Sequence, residues 1–444
     1  MPDTRGLRLR ALLPYALTRI RRLFSRRSSP GCVIEPIVAH TLPPVLPQEI
    51  WDQIIDLIPC RYLKSVSLVA RTFVPRAQMI LFRYIAVGDP TMRNDPDSPK
   101  TPSMVLVDVL TRSPHLIEHV RELKLWICNE ETLAPLSQVP WSRLTSLTLF
   151  RSNARLGSDC DIMLIHEKQE KELLLATPLV SLPSLETLHI GFWTEWSELL
   201  TGCGPNIRRL GFTGVPLDHR LNYLCHDDEH PLPPPHKLSI THLEVCFLSP
   251  FALIGHRDGA IFGTKVDLSR LTHLKLGFTS RPPLFSFLSE FPKSIQNLDI
   301  HLTGDSSNRS IDYSLTEADD DVGDCTSLEL GCLPELAHLS VRGAPQALPA
   351  FHQALERHPP PALHTITHLH FNPTSIVDLL PHLESSIRAV SLPQLRSFAF
   401  QLWLREEDCP PSELWECEAK WKSRMAEKMP SLVERGILVV EFEA

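Results

Sequence analysis

The sequence predicts an α/β chain, with a three-helix module near the N-terminus and an irregular solenoid after it, parallel strands inside and helices and loops outside. Three observations carry this expectation. Residues 46–84 place apolar side chains at helical spacing in three short runs. An apolar-x-x-apolar-x-apolar pattern then returns ten times between Val120 and Phe400, at intervals of 22 to 41 residues. Forty prolines in 444 residues, nearly twice the ordinary share, set fixed turns between many short elements.

Composition bounds the class. A hydrophobic fraction of 43% with 22% charge describes a core-forming globular chain. No run of 18 apolar residues is present, so no transmembrane segment is expected. Eleven cysteines, scattered and without a CxxC pair, suit reduced thiols in a cytoplasmic or nuclear protein rather than a disulfide framework.

The chain opens on a basic arm, residues 1–40, expected to be disordered. Its first 30 residues hold eight Arg against Asp3 alone, leaving 36 basic and 51 acidic residues for the rest. An acidic body argues against a nucleic-acid partner. The mixture of Arg with Leu7, Leu9, Leu12, Leu13, Leu17, Ile20, Leu23 and Phe24 also suits a mitochondrial transit peptide, a nuclear address or an anchor on an anionic membrane surface.

The helical module is assigned to residues 41–87. Pro47 suits the first turn of a helix, where its missing N–H costs nothing, and Glu49 complements the positive helix start. Ile50, Ile54, Leu57 and Ile58 recur at helical spacing, widened by Trp51 and Ile55, and Pro59 ends the helix. Leu63, Val66, Val69 and Ala70 mark a second helix; Phe73, Ala77, Ile80, Leu81 and Tyr84 mark a third. Three helices this short expose more apolar surface than they can bury among themselves, so a further surface is expected to cover some of it.

The stretch Leu46-Pro47-x-Glu49-Ile50, Ile54-Ile55, and Leu63-Lys64-Ser65-Val66-Ser67-Leu68-Val69-Ala70-Arg71-Thr72-Phe73 resembles an F-box of the form common in large fungal (basidiomycete-type) families, with Phe73 where the family often has Trp. The resemblance covers about residues 43–84. It implies docking on a Skp-type adaptor, and through it a cullin, by Leu46, Pro47, Ile50, Ile54, Leu68 and Val69.

Residues 88–102 read as a turn-rich linker, and Met104 to Leu110 as a short helix opening the solenoid assigned to 103–444. Its copies begin at Val120, Leu144, Leu185, Ile207, Ile240, Leu271, Ile295, Leu336, Ile366 and Leu395, with a looser one at Leu438. Stacked parallel strands of this period resemble a degenerate leucine-rich repeat, without the Asn/Cys ladder of the regular subtype. Helix candidates between strands are Ser197–Leu200, Leu284–Leu288, Leu348–Leu355 and Ser375–Leu380. Two longer intervals mark insertions: a solvated helix around Glu167–Glu172, and an acidic loop over 312–324. A Pro-rich loop spans 226–236. Leu414, Cys417, Trp421 and Met425 share one face of a C-terminal helix, Glu413 to Met429, suited to capping the last repeat.

No GxGxxG, P-loop, HExxH, GxSxG or EF-hand loop is present, and nothing pairs a nucleophile with a base. Cys225, His226, His230 and His236 match no standard zinc spacing. No cofactor, metal or catalytic residue is assigned. The resemblance implies a non-catalytic substrate receptor of an SCF-type ubiquitin ligase; a repeat scaffold without a ligase is the alternative. Side chains alternate along a strand, so residues between the apolar positions form the surface for a protein target. These are His242 and Glu244; His273 and Lys275; Asn297, Asp299 and His301; His338, Ser340 and Arg342; and His368, His370 and Asn372, with Lys124, Trp126 and Phe150 from early copies. The run of His suggests a face that titrates near pH 6–7.

Overall fold

The computed structural model describes residues 47–88, 101–127, 130–151, 162–191, 193, 196–214, 237–246, 265–278, 288, 291–302, 329–343, 348–370, 380–389, 392, 394–403 and 414–443. The chain is an α/β protein of two compact units, one ending at Tyr84 and the other starting at Ile85.

The first unit contains α1 (Gln48–Asp56), α2 (Cys60–Ser67) and α3 (Val74–Leu81), with a 3-10 turn over Arg71–Phe73 leading into α3. Pro47 and Pro59 are the N-caps of α1 and α2, positions that cost no intrahelical hydrogen bond. Ile55, Ile58, Leu63, Val66 and Phe73 make the core, and Trp51 packs on Phe73 with ring centroids 5.0 Å apart. Arg76 on α3 holds the end of α1 with two hydrogen bonds to the Asp56 carboxylate, 2.6 Å from Nε and 2.5 Å from Nη2. The third helix is shorter than its apolar spacing suggests: it stops at Leu81, and Tyr84 opens a strand.

The second unit is organised by a 12-stranded sheet. Its strands are β1 (Tyr84–Val87), β2 (Glu122–Ile127), β3 (Ser146–Arg151), β4 (Thr187–Gly191), β5 (Arg209–Thr213), β7 (His242–Cys246), β9 (His273–Phe278), β10 (Asn297–Leu302), β11 (His338–Gly343), β12 (Thr365–His370), β13 (Ser397–Trp403) and β14 (Leu438–Glu443). Their order in space is their order in sequence, and every neighbouring pair from β2 to β14 is parallel. A separate parallel pair joins β6 (Leu238–Ser239) to β8 (Val266–Asp267).

Among the described residues, helices connect the strands from β2 to β5 and from β11 to β14, as parallel pairing allows. They are α4 (Pro102–Arg112), α5 (Glu130–Ser137), α6 (Ile162–Val180), α7 (Trp196–Thr201), α8 (Leu348–Arg357), α9 (Leu380–Ala389), α10 (Leu414–Lys428) and α11 (Pro430–Glu434). Each packs on the next over α4–α7 and α8–α10. α4 starts before the expected Met104 because the Thr101 hydroxyl caps it, accepting from Met104 N.

The register is set just before each strand. Arg121 O accepts from Thr145 N and Ser146 N, Thr145 O from Glu186 N and Thr187 N, and the series runs on through Glu186, Arg208, Thr241, Thr272, Gln296, Ala337 and His364. One carbonyl thus takes two N–H groups from the following copy each time. The apolar positions then stack strand on strand: Leu123, Leu147, Leu188, Leu210, Leu243, Leu274, Leu298 and Leu339 are all buried.

This ladder corrects one copy. His338 pairs with Thr365 and Val341 with His368, so the copy begins at Leu363 rather than Ile366. His368 therefore stands on the apolar face, fully buried, not on the target face. Its Nε2 lies 3.2 Å from Nε2 of the equally buried His352 on α8, among the rings of Phe398 and Phe400. The backbone of His370 is in register with Leu402; its side chain, and Asn372, lie outside the described residues.

Two further expectations change. Glu172 of α6 is not solvated: it is buried and paired with Arg151 of β3 at 3.2 Å, charge neutralising charge away from water. Among the described cysteines Cys60, Cys203, Cys246 and Cys332 are free thiols as expected, whereas Cys417 is disulfide-bonded. The loops 226–236 and 312–324, the arm 1–40 and the segment 284–287 lie outside the described residues.

Candidate functional site

One face of the sheet is buried under helices; the other presents the residues between the apolar positions, aligned in rows across the strands. The row at the start of the strands runs Thr187, Arg209, His242, His273, Asn297, His338, Thr365. The next runs His189, Gly211, Glu244, Lys275, Asp299, Ser340, Thr367. These rows line a groove of about 480 Å³.

The imidazoles of His242 and His273 stack with centroids 4.0 Å apart and planes 13° from parallel. The threonine before each holds the ring. Thr241 Oγ1 lies 2.8 Å from His242 Nδ1, and Thr272 Oγ1 lies 2.9 Å from His273 Nδ1. Each hydroxyl also donates to the ladder carbonyl of the preceding copy, Arg208 O and Thr241 O, at 3.3 Å. Each threonine thus anchors the Nδ1 side of the ring that follows it. Two of the three Thr-His-Leu sequences, 241–243 and 272–274, are built this way; at 367–369 the histidine is buried on the opposite face.

Burial, the neighbouring His273 and Arg209 push the His242 pKa down to about 4. Burial, Arg209 and His338 lower that of His273. Burial lowers His189 as well, Glu244 opposing it. The His242 ring is thus neutral at physiological pH, and those of His273 and His189 are held below the ordinary histidine range.

In the second row Lys275 Nζ sits 2.6 Å from Glu244 Oε1. Burial disfavours both charges, yet each stabilises its partner: the Lys275 pKa is raised and the Glu244 pKa lowered. Asp299 is pushed up by burial, against the pull of Lys275, Arg342 and a hydrogen bond from Ser340. Gly211 leaves the floor open, since a Cβ there would come within 2.3 Å of His189 Nδ1. His189 Nε2 is engaged by Thr213 Oγ1 at 2.7 Å.

Of the residues expected to meet a target, His242, His273, Lys275, Asp299 and His338 line this groove. His301 and Arg342 are half-buried in the adjoining row, paired in register. Lys124, Trp126 and Phe150 lie at the other end of the face, Lys124 Nζ 4.4 Å from the Trp126 ring centre and 5.0 Å from that of Phe150. His189 and Arg209 were not singled out in the sequence, although Leu188-His189-Ile190 and Arg209-Leu210 carry the same alternation.

In the helical unit Pro47 is exposed and Ile50 half-buried; Leu68, at 79%, and Val69 are exposed. Ile54 is 8% exposed, so it is not available as a docking side chain. Leu46 lies outside the described residues.

No protein-family model matches the chain, and no curated relative matches it. What the chain does is therefore argued from its own surfaces. Among the described residues no three His, Cys, Asp or Glu side chains are grouped to hold a metal ion, and no helix is long and apolar enough to cross a membrane. The Cys225, His226, His230 and His236 cluster lies outside the described residues. Among the described residues the groove offers two stacked imidazoles, one ion pair and a guanidinium without a partner, which is equipment for binding.

Proposed function

We propose that the chain is the substrate-recognition subunit of an SCF-type ubiquitin ligase. In this reading the helical unit is an F-box that docks on a Skp-type adaptor and so on a cullin. The second unit is an irregular leucine-rich-repeat solenoid whose open strand face holds the target protein. The chain itself makes and breaks no bonds; it fixes the target beside the ubiquitin-transfer machinery, in the cytoplasm or nucleus.

The observation that carries the reading is the apolar surface left on the helical unit. After burying its own core it still exposes Leu57, Tyr62, Leu68 and Val69. Leu68 and Val69 fall in the stretch that resembles the F-box. Apolar side chains left exposed on so small a unit suit a docking surface. The polar groove on a separate unit fits a division of labour between adaptor and target.

The test is co-purification with a Skp-type adaptor and cullin. Replacing Leu68 and Val69 with Asp is expected to abolish capture without moving the melting temperature, since both side chains are exposed. Losing one such apolar anchor costs about 2 kcal/mol or more. Adaptor capture at wild-type strength by this variant would refute the assignment. A wild-type chain that ignores the adaptor would be an interaction scaffold instead.

A further inference from the structure

The groove carries one uncompensated charge. Arg209 is exposed, stands in register with His242 and His273 on the next two strands, and has no ion-pair or hydrogen-bond partner among the described residues. The other lining charges are matched. Lys275 is bound to Glu244, and Asp299 is held by Ser340 and faces Lys275 and Arg342.

Beside the guanidinium stand two imidazoles. The Thr241 and Thr272 hydroxyls engage Nδ1 of each ring, and neither Nε2 has a partner among the described residues. The rings are stacked with planes 13° from parallel, so they offer two polar groups in succession. A guanidinium suits a carboxylate, which it grips with two charge-assisted hydrogen bonds.

We propose that this groove selects an acidic peptide segment, which sets a carboxylate on Arg209 and hydrogen-bonds its backbone to Nε2 of His242 and His273. This rests on reading the strand face as the target-binding surface. Long-range attraction cannot do the selecting, because the chain beyond residue 30 holds 51 acidic against 36 basic residues. Preference for an acidic segment must come from close contact with Arg209.

The experiment uses the full-length chain and two fluorescein-labelled pools of short peptides, one containing Glu and a matched one with Gln in its place. Anisotropy is expected to show at least about tenfold tighter binding of the Glu pool, the size of one charge-assisted contact. Arg209→Gln, on an exposed side chain, removes that difference. His242→Phe with His273→Phe keeps the stacked rings but deletes both Nε2 groups, and weakens both pools about tenfold. His242→Gln with His273→Gln restores a hydrogen-bonding group and recovers part of the loss. Equal binding of the two pools, or a Glu preference that survives Arg209→Gln, overturns the proposal. Adaptor capture is measured on the same proteins. If the adaptor fails to bind while the Glu preference stands, the ligase reading falls and the groove assignment holds. Adaptor binding without a Glu preference leaves the ligase reading standing and overturns the groove assignment.

Discussion

At the scale of single residues, the target face is governed by what surrounds each imidazole. His242 has its pKa lowered to about 4, first by burial and then by His273 and Arg209. It is therefore neutral from pH 8 to pH 5, and a free histidine with a pKa near 6.5 is not. The expected outcome in NMR is that the His242 ring shifts stay flat over that range. A midpoint near 6.5 would show that the ring is not held as described. The stability consequence has a definite sign. The folded pKa lies below the unfolded one, so the unfolded chain binds the proton first on acidification. The contribution of His242 is complete above pH 6.5 and is lost as pH falls through about 4.

At the scale of elements, β12 is the strand in which sequence pattern and packing disagree. The window Ile366-Thr-His-Leu369-His-Phe371 fits the repeat pattern better than the true copy, Leu363-His-Thr-Ile366-Thr-His368. The true copy puts a histidine where its neighbours have Val341 and Phe400. What makes this tolerable is His352, whose Nε2 meets that of His368 at 3.2 Å. A partner on α8 is not readable from the strand. Burial pushes His352 down to about 3, so it stays neutral when folded and must take up a proton on unfolding below pH 6.5. His368→Leu alone is expected to cost about 1–3 kcal/mol, because the buried His352 then loses its Nε2 partner. His352→Leu with His368→Leu removes both polar groups, restores that loss at pH 7, and reduces the fall in melting temperature between pH 7 and pH 5. A double variant as damaged as the single one would contradict the pairing. Elsewhere the repeats were legible because Leu, Ile, Val and Phe alternate faithfully at the buried positions. The three N-terminal helices were legible for the same reason. β1 was not, since Tyr84-Ile85-Ala86-Val87 is too short to show the pattern. Much of the groove was visible in the alternation, at His242, Glu244, His273, Lys275, Asn297, Asp299, His338 and Ser340. Arg209 gained its meaning only from the register, which puts it beside rings that follow it by 33 and 64 residues in the chain.

At the scale of the whole second unit, each strand pairs only with the strands before and after it. The ladder carbonyls link copy to copy in the same one-dimensional manner. A fold held this way has nearest-neighbour stability: damage to one copy reaches the adjacent copies and fades beyond them. Phe398 is a suitable place to test this. It is fully buried on β13, with its ring centre 5.3 Å from that of Phe400 and 5.1 Å from that of His368. Phe398→Ala removes a large ring from a packed site and is expected to cost about 3–5 kcal/mol locally. Hydrogen exchange should then show the amides of β12, β13 and β14 losing protection while those of β2 to β5 keep theirs. Affinity for the Glu peptide pool would be retained, because Arg209, His242 and His273 are set by the ladder carbonyls of Glu186, Arg208 and Thr241, well upstream of the lesion. Uniform loss of protection from β2 to β14 would mean that the sheet unfolds as one cooperative block. Register would then be enforced by the unit as a whole, and the copy-by-copy account of how Arg209 comes to stand beside His242 and His273 would fail.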